Sequence, residues 1–282
     1  MNIDKDHIAV LRAIEGLHRR YEYVPLDEAV TKLPFSAKTT RFLISELNKM
    51  EYVSFFTHRD TGVAVKVTET GFDVLSLWDF KKHGVITNIG SPVGTGKESV
   101  IISAETKNGF AAVKMHRYNQ KEFVKIKRSF SWTAIKKIID DLGIREHEIN
   151  VPRAKAQTEF RALSGLSGTI PVPEPYGINR HAVCMQFIGK KSLPAKILVK
   201  VVLKEPKDVL DLIIEDYEKA AEKWVHGDFS EFNIMVTDEG ELYYIDWSQA
   251  IPSNYENADR MKERDLQNIR NYFLKKYKLK DQ

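Results

Sequence analysis

The sequence predicts an α+β fold in two domains: a small module of helices ending in a two-stranded wing, then a larger domain that mixes strands, helices and a hairpin. Three observations predict it. Helical periodicity fills the first fifty residues and gives way to a hairpin before residue 68. From residue 90 a strand, a Gly-rich turn and a second strand follow one another. Finally, His226-Gly227-Asp228 leads with H-G-D-x-x-x-x-N spacing to Asn233, and Asp246 lies thirteen residues beyond Asn233.

Composition bounds the rest. With 282 residues, 43% of them apolar, the chain has enough core-forming material for two domains. No apolar run approaches the roughly 18 residues of a membrane span, and Met1-Asn2-Ile3-Asp4-Lys5 lacks the pattern of a secretory signal. A cytoplasmic protein without membrane contact, monomeric when free, is expected. The single Cys184 excludes an internal disulfide and reads as a small buried apolar residue. The net charge of +4 is unevenly placed. Residues 1–80 carry ten Lys or Arg against twelve Asp or Glu, residues 114–128 six against Glu122 alone, and residues 260–280 eight against two. The two basic stretches suit a phosphate-rich partner.

In the first domain, Ile8, Leu11, Ile14 and Leu17 recur as one face of a helix, and residues 26–33 give a second helical segment. Ser36 is an N-cap for a third helix running toward Met50, with Phe42, Leu43 and Leu47 expected inward. Residues 53–56 and 63–67 then read as strands around His58-Arg59-Asp60-Thr61-Gly62, whose Asp and Gly favour a turn. Short helices followed by such a wing make a winged helix, assigned here to residues 1–83. Its third helix would offer Lys38, Arg41, Asn48 and Lys49 to nucleic acid, although the domain's acidic balance opposes nonspecific binding. A helix from Thr68 toward Phe80, with Phe72, Leu75 and Trp78 inward, leads out of it.

Gly90 to Ser99 has the look of a phosphate loop, but the Walker A pattern G-x-x-x-x-G-K-[ST] fails. Five residues separate Gly90 from Gly96, Lys97 is followed by Glu98, and Val100-Ile101-Ile102 is β-branched where a helix would have to start. Strand, Gly-rich turn and strand remain, followed by a turn at Lys107-Asn108-Gly109 and a strand from Phe110 to Lys114. Farther on, Phe160, Leu163 and Leu166 share one helical face, and the prolines at 171–175 are expected to end that helix. Ala182 to Gly189 is a buried strand. Ile234-Met235-Val236 and residues 242–245 flank the polar turn Thr237-Asp238-Glu239-Gly240 as a hairpin, which sets Asn233 and Asp246 at one mouth.

That mouth carries the chemistry. Phosphoryl transfer asks a protein mainly to hold a metal, orient the attacking hydroxyl and neutralise phosphate charge. Asp228 is the residue to accept or orient the nucleophile's proton. Asn233 and Asp246 are hard oxygen ligands of the kind magnesium takes from a protein one or two at a time.

H-G-D-x-x-x-x-N followed by Ile245-Asp246-Trp247 resembles the catalytic and metal-binding loops of the protein-kinase-like superfamily. Three further features are similar to the RIO family of atypical serine/threonine kinases: Gly94-Thr95-Gly96-Lys97-Glu98-Ser99, Glu263-Arg264-Asp265-Leu266, and the basic insertion around Lys125-Ile126-Lys127-Arg128-Ser129-Phe130-Ser131-Trp132. The preceding winged helix resembles the RIO kinase 2 subfamily. Trp247-Ser248-Gln249 departs slightly from the Phe-Pro-Gln expected after the metal-binding Asp.

The resemblance implies an N-lobe over 84–188, with a Gly-rich flap and a flexible basic loop, and a reduced C-lobe over 189–282. In the flap, Gly94 and Gly96 would let the backbone approach the phosphates of ATP, and Lys97 and Ser99 would add contacts, Ser99 standing where a third glycine is usual. Lys114 matches the lysine that holds the α- and β-phosphates, with Glu159 as its carboxylate partner. Met185 falls near the gate, Gln186 and Ile188 along the adenine-reading hinge, and Ser230 is a further nucleotide contact. The implied activity is ATP- and magnesium-dependent phosphotransfer or ATP hydrolysis, with manganese as an alternative metal and transient phosphorylation of Asp246. Autophosphorylation is expected at Ser129 or Ser131 in a mobile segment 125–150. The implied partner is the small ribosomal subunit precursor and its RNA. The chain after Asp246 is too short for an activation segment plus peptide-binding helices. A small-molecule kinase of the aminoglycoside or choline type, and a nucleotide-switched binding module without turnover, are the alternative expectations.

Overall fold

The computed structural model describes residues 3–58, 62–118, 124, 131–143, 150–190 and 193–279, and the chain divides into two compact units, Met1–His83 and Gly84–Gln282. In the first unit, helices α1 (Lys5–Leu17), α2 (Leu26–Thr31) and α3 (Ala37–Lys49) pack with an antiparallel sheet ordered β1 (Val24–Pro25), β3 (Gly62–Val67), β2 (Val53–His58). Asp4 starts α1 by accepting the amides of Asp6 and His7, which satisfies two otherwise orphaned donors. Ser36 starts α3 in the same way, its Oγ accepting from Thr39 at 3.1 Å. The inward stripe of α3 is Thr40, Leu43, Ile44 and Leu47. Phe42, expected inward, is 59% exposed, because it stands about 100° round the helix from Leu43. Thr68 caps α4 (Glu69–Lys82), where Phe72 and Leu75 are buried and Trp78 half-buried.

The second unit opens with a five-stranded antiparallel sheet in the order β4 (Asn88–Thr95), β5 (Ser99–Thr106), β6 (Gly109–His116), β8 (Ala182–Gln186), β7 (Pro175–Asn179). Pro92, which has no N–H to give a ladder, lies on the edge strand β4 between two register shifts. Two helices, α5 (Ser131–Asp141) and α6 (Val151–Leu166), pack through Ile135, Ile138 and Ile139 against Val151 and Ala154. Part of the segment expected to be mobile is therefore helical. Ser131 is its first residue, while Lys121, the basic run 125–128 and Ser129 lie outside the described residues. Nor do the prolines end α6. Its cap Ser167 is already out of helical geometry (φ −53, ψ 129), and Gly168 turns the chain at φ +75, a conformation glycine adopts freely.

The remainder joins small ladders to helices. β9 (Gly189–Lys190) pairs with β10 (Leu193–Pro194), and β11 (Lys196–Ile197) with β13 (Ile234–Val236), which pairs on its other side with β14 (Leu242–Tyr244). β12 (Trp224–Val225) pairs with β15 (Ile251–Pro252). Helices α7 (Pro206–Ala221) and α8 (Ala258–Tyr277) complete this half. One core runs through both halves, with Leu166 of α6, Met185 of β8, Tyr217 of α7, Phe273 of α8 and the loop residues Phe229 and Trp247 all buried in it. Charged residues at the junction are thereby held by packed elements on each side. Among the described residues, no helix is long and apolar enough to cross a membrane.

Candidate active site

Alternation along β6 puts Lys114 and His116 on one face of the sheet, and α6 brings Glu159 against them. Lys114 Nζ donates to Glu159 Oε1 at 2.8 Å and to Asp246 Oδ1 at 2.7 Å. The other Glu159 oxygen lies 2.7 Å from His116 Nε2. Glu159 is 1% exposed and Lys114 8%, whereas Asp246 keeps 38% of its side chain open.

Burial alone would push Lys114 down and both carboxylates up. At the lysine, the Asp246 and Glu159 carboxylates outweigh burial and hold it above its ordinary value. At Asp246, and with help from His116 at Glu159, the Lys114 ammonium outweighs it in turn and holds both acids below theirs. Burial prevails at His116, whose value is lowered, so the ring is neutral at pH 7 and Nε2–H donates to Glu159. These shifts fix a pH profile. Depressed carboxylates contribute stability that is complete above their ordinary 3.8 and 4.5 and is lost as pH falls through the folded values. The raised lysine contributes below its ordinary 10.5 and its share is lost only above it. Urea unfolding is expected to show a plateau through neutral pH and an acid limb starting near pH 4, shallower in Lys114→Met; equal limbs in the two proteins would refute the coupling.

The loop from His226 is held from beneath. Gly227 has φ +83, and a Cβ there would lie 2.7 Å from the Gln249 carbonyl. Its N–H donates at 2.7 Å to Oδ2 of the fully buried Asp265, which also accepts the Tyr217 hydroxyl at 2.7 Å. Arg264 donates to the Gly227 carbonyl and, at 2.9 Å, to Asp265 Oδ1. The His226 ring packs on Trp247 at 4.6 Å and Phe229 at 5.5 Å. Its Nε2 lies 2.9 Å from the Ile245 carbonyl, which can only accept, so Nε2 carries the proton and Nδ1 receives the Asp228 N–H at 3.3 Å. Asp228 is thereby presented at the surface.

Asn233 Nδ2 donates to the Asp228 carbonyl at 2.8 Å, which commits the amide nitrogen and leaves Oδ1 to meet a cation. The hairpin has the expected register, Ile234 opposite Tyr244, and the Ile245 N–H reaches the Asn233 carbonyl at 2.9 Å. Asp246 follows at φ 62, ψ 58, a left-handed turn. Ser248 Oγ donates to its Oδ1 at 2.8 Å, so Lys114 and Ser248 use the same oxygen. Among the described residues, no group of three or more His, Cys, Asp or Glu could hold a metal. A cation here would draw on the Asn233 and Asp246 oxygens and on oxygens from outside the protein.

The flap turn is closed by Gly96 N–H donating to Ser99 C=O at 2.9 Å. Neither Gly94 nor Gly96 has positive φ, and a Cβ at either would meet nothing nearer than 3.7 Å. The fold itself does not require glycine there; its effect is to leave the strand backbone open. Lys97 is exposed and Ser99 half-buried on this turn. Met185 is buried in β8, Gln186 N–H donates to Glu174 C=O at 2.8 Å, and Ile188 C=O accepts from Ala195 at 2.9 Å. Ser230, half-buried, accepts the Asn233 N–H on its carbonyl at 3.0 Å.

Of the candidates, Lys114, Glu159 and Asp246 thus form one bonded cluster, and Asp228 and Asn233 a second at the hairpin mouth. His116, Ser248, Tyr217 and Asp265 were not foreseen. His116 carried a signal, its i,i+2 spacing from Lys114 on a strand. The buried acid under Gly227 is marked only by the family resemblance of Glu263-Arg264-Asp265-Leu266, which does not give its partners.

The RIO domain family matches residues 99–282, and the Rio2 N-terminal family matches residues 1–83. The RIO-type serine/threonine-protein kinase Rio2 of Methanocaldococcus jannaschii is 36% identical over 264 residues, covering 93% of each chain. The Saccharomyces cerevisiae serine/threonine-protein kinase RIO2 is 31% identical over 283 residues, 97% of this chain but 64% of that one. In fold, the crystal structure of the Chaetomium thermophilum Rio2 kinase–ADP/Mg2+–phosphoaspartate complex superposes with a TM-score of 0.78 at 24% identity, over 99% of this chain and 83% of that one. With both family models matching over nearly the whole chain and a relative 36% identical over 93% of it, the chain belongs to the RIO family of serine/threonine protein kinases, in its Rio2 branch.

Proposed function

We propose that this chain is an ATP- and magnesium-dependent serine/threonine kinase and ATPase of the RIO type that acts in the cytoplasm, as a monomer when free, on the small ribosomal subunit precursor. The observation that carries the catalytic part is the Lys114 ammonium between Glu159 and Asp246. Glu159 and the sheet fix that cation, which neutralises charge on the ATP phosphates. The flap, with Gly94, Gly96, Lys97 and Ser99, gives the phosphates an open backbone, while Met185, Gln186 and Ile188 line the adenine end and Ser230 the catalytic loop. Asp228 orients the attacking hydroxyl and takes its proton. Asn233 Oδ1 and the Asp246 carboxylate would hold magnesium, which when bound supplies charge neutralisation on the phosphates.

The related Chaetomium protein was crystallised as a phosphoaspartate complex, and Asp246 is the carboxylate placed for that chemistry here. Its oxygen would form the bond to the γ-phosphorus as the bond to the ADP oxygen breaks. Water would then bond to that phosphorus as its bond to the Asp246 oxygen breaks, which restores the carboxylate and releases inorganic phosphate. Incubation with γ-labelled ATP tests both activities: hydroxylamine-labile label marks an acyl phosphate, acid-stable label marks Ser129 or Ser131, and nucleotide binding without label or turnover refutes the enzyme reading.

For an RNA partner, the basic 260–280 stretch supplies the charge, but not all of it. Lys276 donates to the Val199 and Val201 carbonyls at 3.0 Å each and to the Tyr272 hydroxyl at 2.8 Å, so it serves the fold. Arg270 and Lys275 are exposed. Filter binding to ribosomal RNA across salt concentrations is expected to show a slope lower by roughly 1.5 to 2 units in Arg270→Ala with Lys275→Ala. Lys38→Ala with Arg41→Ala is expected to change it less, since Arg41 already pairs with Asp27 at 2.6 Å. The reverse order would move the RNA surface to the first domain.

A further inference from the structure

We infer that Lys155 is a positioning residue for the phosphate end of the site, keeping the Glu98 carboxylate of the flap turn from opposing the nucleotide; this rests on the reading of that turn as the phosphate cradle. Lys155 and Glu159 are one helical turn apart on α6, and each is 1% exposed. They reach opposite charges at two places in the same sheet, one on a strand and one in a turn. Glu159 takes Lys114 of β6 at 2.8 Å, and Lys155 Nζ lies 3.6 Å from Oε2 of Glu98, in the turn between β4 and β5.

Glu98 is an unexpected residue for that turn. It stands between Lys97 and Ser99, the two side chains assigned to the phosphates, and its own side chain is 48% exposed. An unpaired carboxylate at this point would repel a triphosphate, the more strongly because a bordering protein interior lowers the effective dielectric. Its backbone is also anchored, the carbonyl accepting from Arg117 N–H at 2.8 Å. The turn therefore cannot simply swing Glu98 away, and the compensation has to come from a cation brought to it. Lys155 is such a cation, nearly fully buried on a helix packed to the sheet.

The test measures magnesium–ADP binding to the full chain by fluorescence of a labelled ADP, with KM for ATP and kcat, and a thermal melt for every variant. Lys155→Met, of nearly the same volume, is expected to weaken binding and raise KM about tenfold, with kcat changed by no more than about twofold. Lys155→Gln serves as the second variant should the methionine protein not fold. Adding Glu98→Gln to either is expected to restore affinity to within about threefold of wild type. A lysine that served packing alone would show no such restoration, because Glu98→Gln refills nothing. Unchanged affinity in Lys155→Met, or no restoration by Glu98→Gln, overturns the inference and leaves the nucleotide site standing. A wild-type chain that binds no magnesium–ADP overturns both.

Discussion

Asp246→Ala is expected to lower phosphotransfer by at least about 10³-fold, on the order of 4 kcal/mol of lost transition-state stabilisation, and to weaken ATP binding in magnesium more than in EDTA. The single change removes a partner of Lys114, the partner of Ser248 and the proposed metal ligand together. Asn233→Ala is expected to share the magnesium-dependent part. Asp228→Ala is expected to abolish turnover while leaving magnesium–ATP binding near wild type, because the proposed role of that carboxylate is toward the acceptor. Asp246→Asn belongs beside the alanine variant, since asparagine tolerates the φ of 62 that alanine resists. Loss of turnover in both assigns the effect to the carboxylate. Wild-type label incorporation by either would sink the site.

Glu159→Ala is expected to destabilise the second unit by roughly 3 kcal/mol in urea unfolding. It leaves Lys114 with Asp246 alone and strips His116 of its acceptor, all in a site where Glu159 is 1% exposed. Removing one member of a buried pair costs more than removing both. Lys114→Met with Glu159→Leu is therefore expected to regain part of the stability and none of the activity, a separation that a general packing defect at α6 could not produce.

Much of this site is local in sequence, and that part is legible. A hairpin declares itself through two β-prone runs and a Gly-ended turn, so Asn233 and Asp246 could be set at one mouth before any coordinates, and the register of Ile234 with Tyr244 places them there. Ser36 and Thr68 announce their helices through side-chain oxygens that need only three residues of context. Elsewhere the local signal misleads. Phe42 is apolar beside Leu43, yet the helical stripe passes through Thr40 and leaves the ring in solvent. The prolines at 171–175 looked like the end of α6, but a glycine at 168 had already turned the chain. Of the long-range polar contacts, Lys114 with Glu159 is legible only through the family resemblance, and the others are not. The pairing of Lys155 with Glu98, like the acid beneath Gly227, joins residues whose spacing follows no backbone period, and only the assembled core brings them together.

The acid beneath Gly227 also sets a schedule. Asp265 lies 38 residues downstream of the glycine whose amide it receives, on α8, and synthesis runs from the N-terminus. A nascent chain extended just past Asp246 already contains Lys114, Glu159, Asp228 and Asn233, yet the Gly227 N–H and the Tyr217 hydroxyl proton both lack the carboxylate that receives them. The loop that carries Asp228 thus gains its buried acceptor only once α8 has been made, after every residue of the site itself is already in the chain.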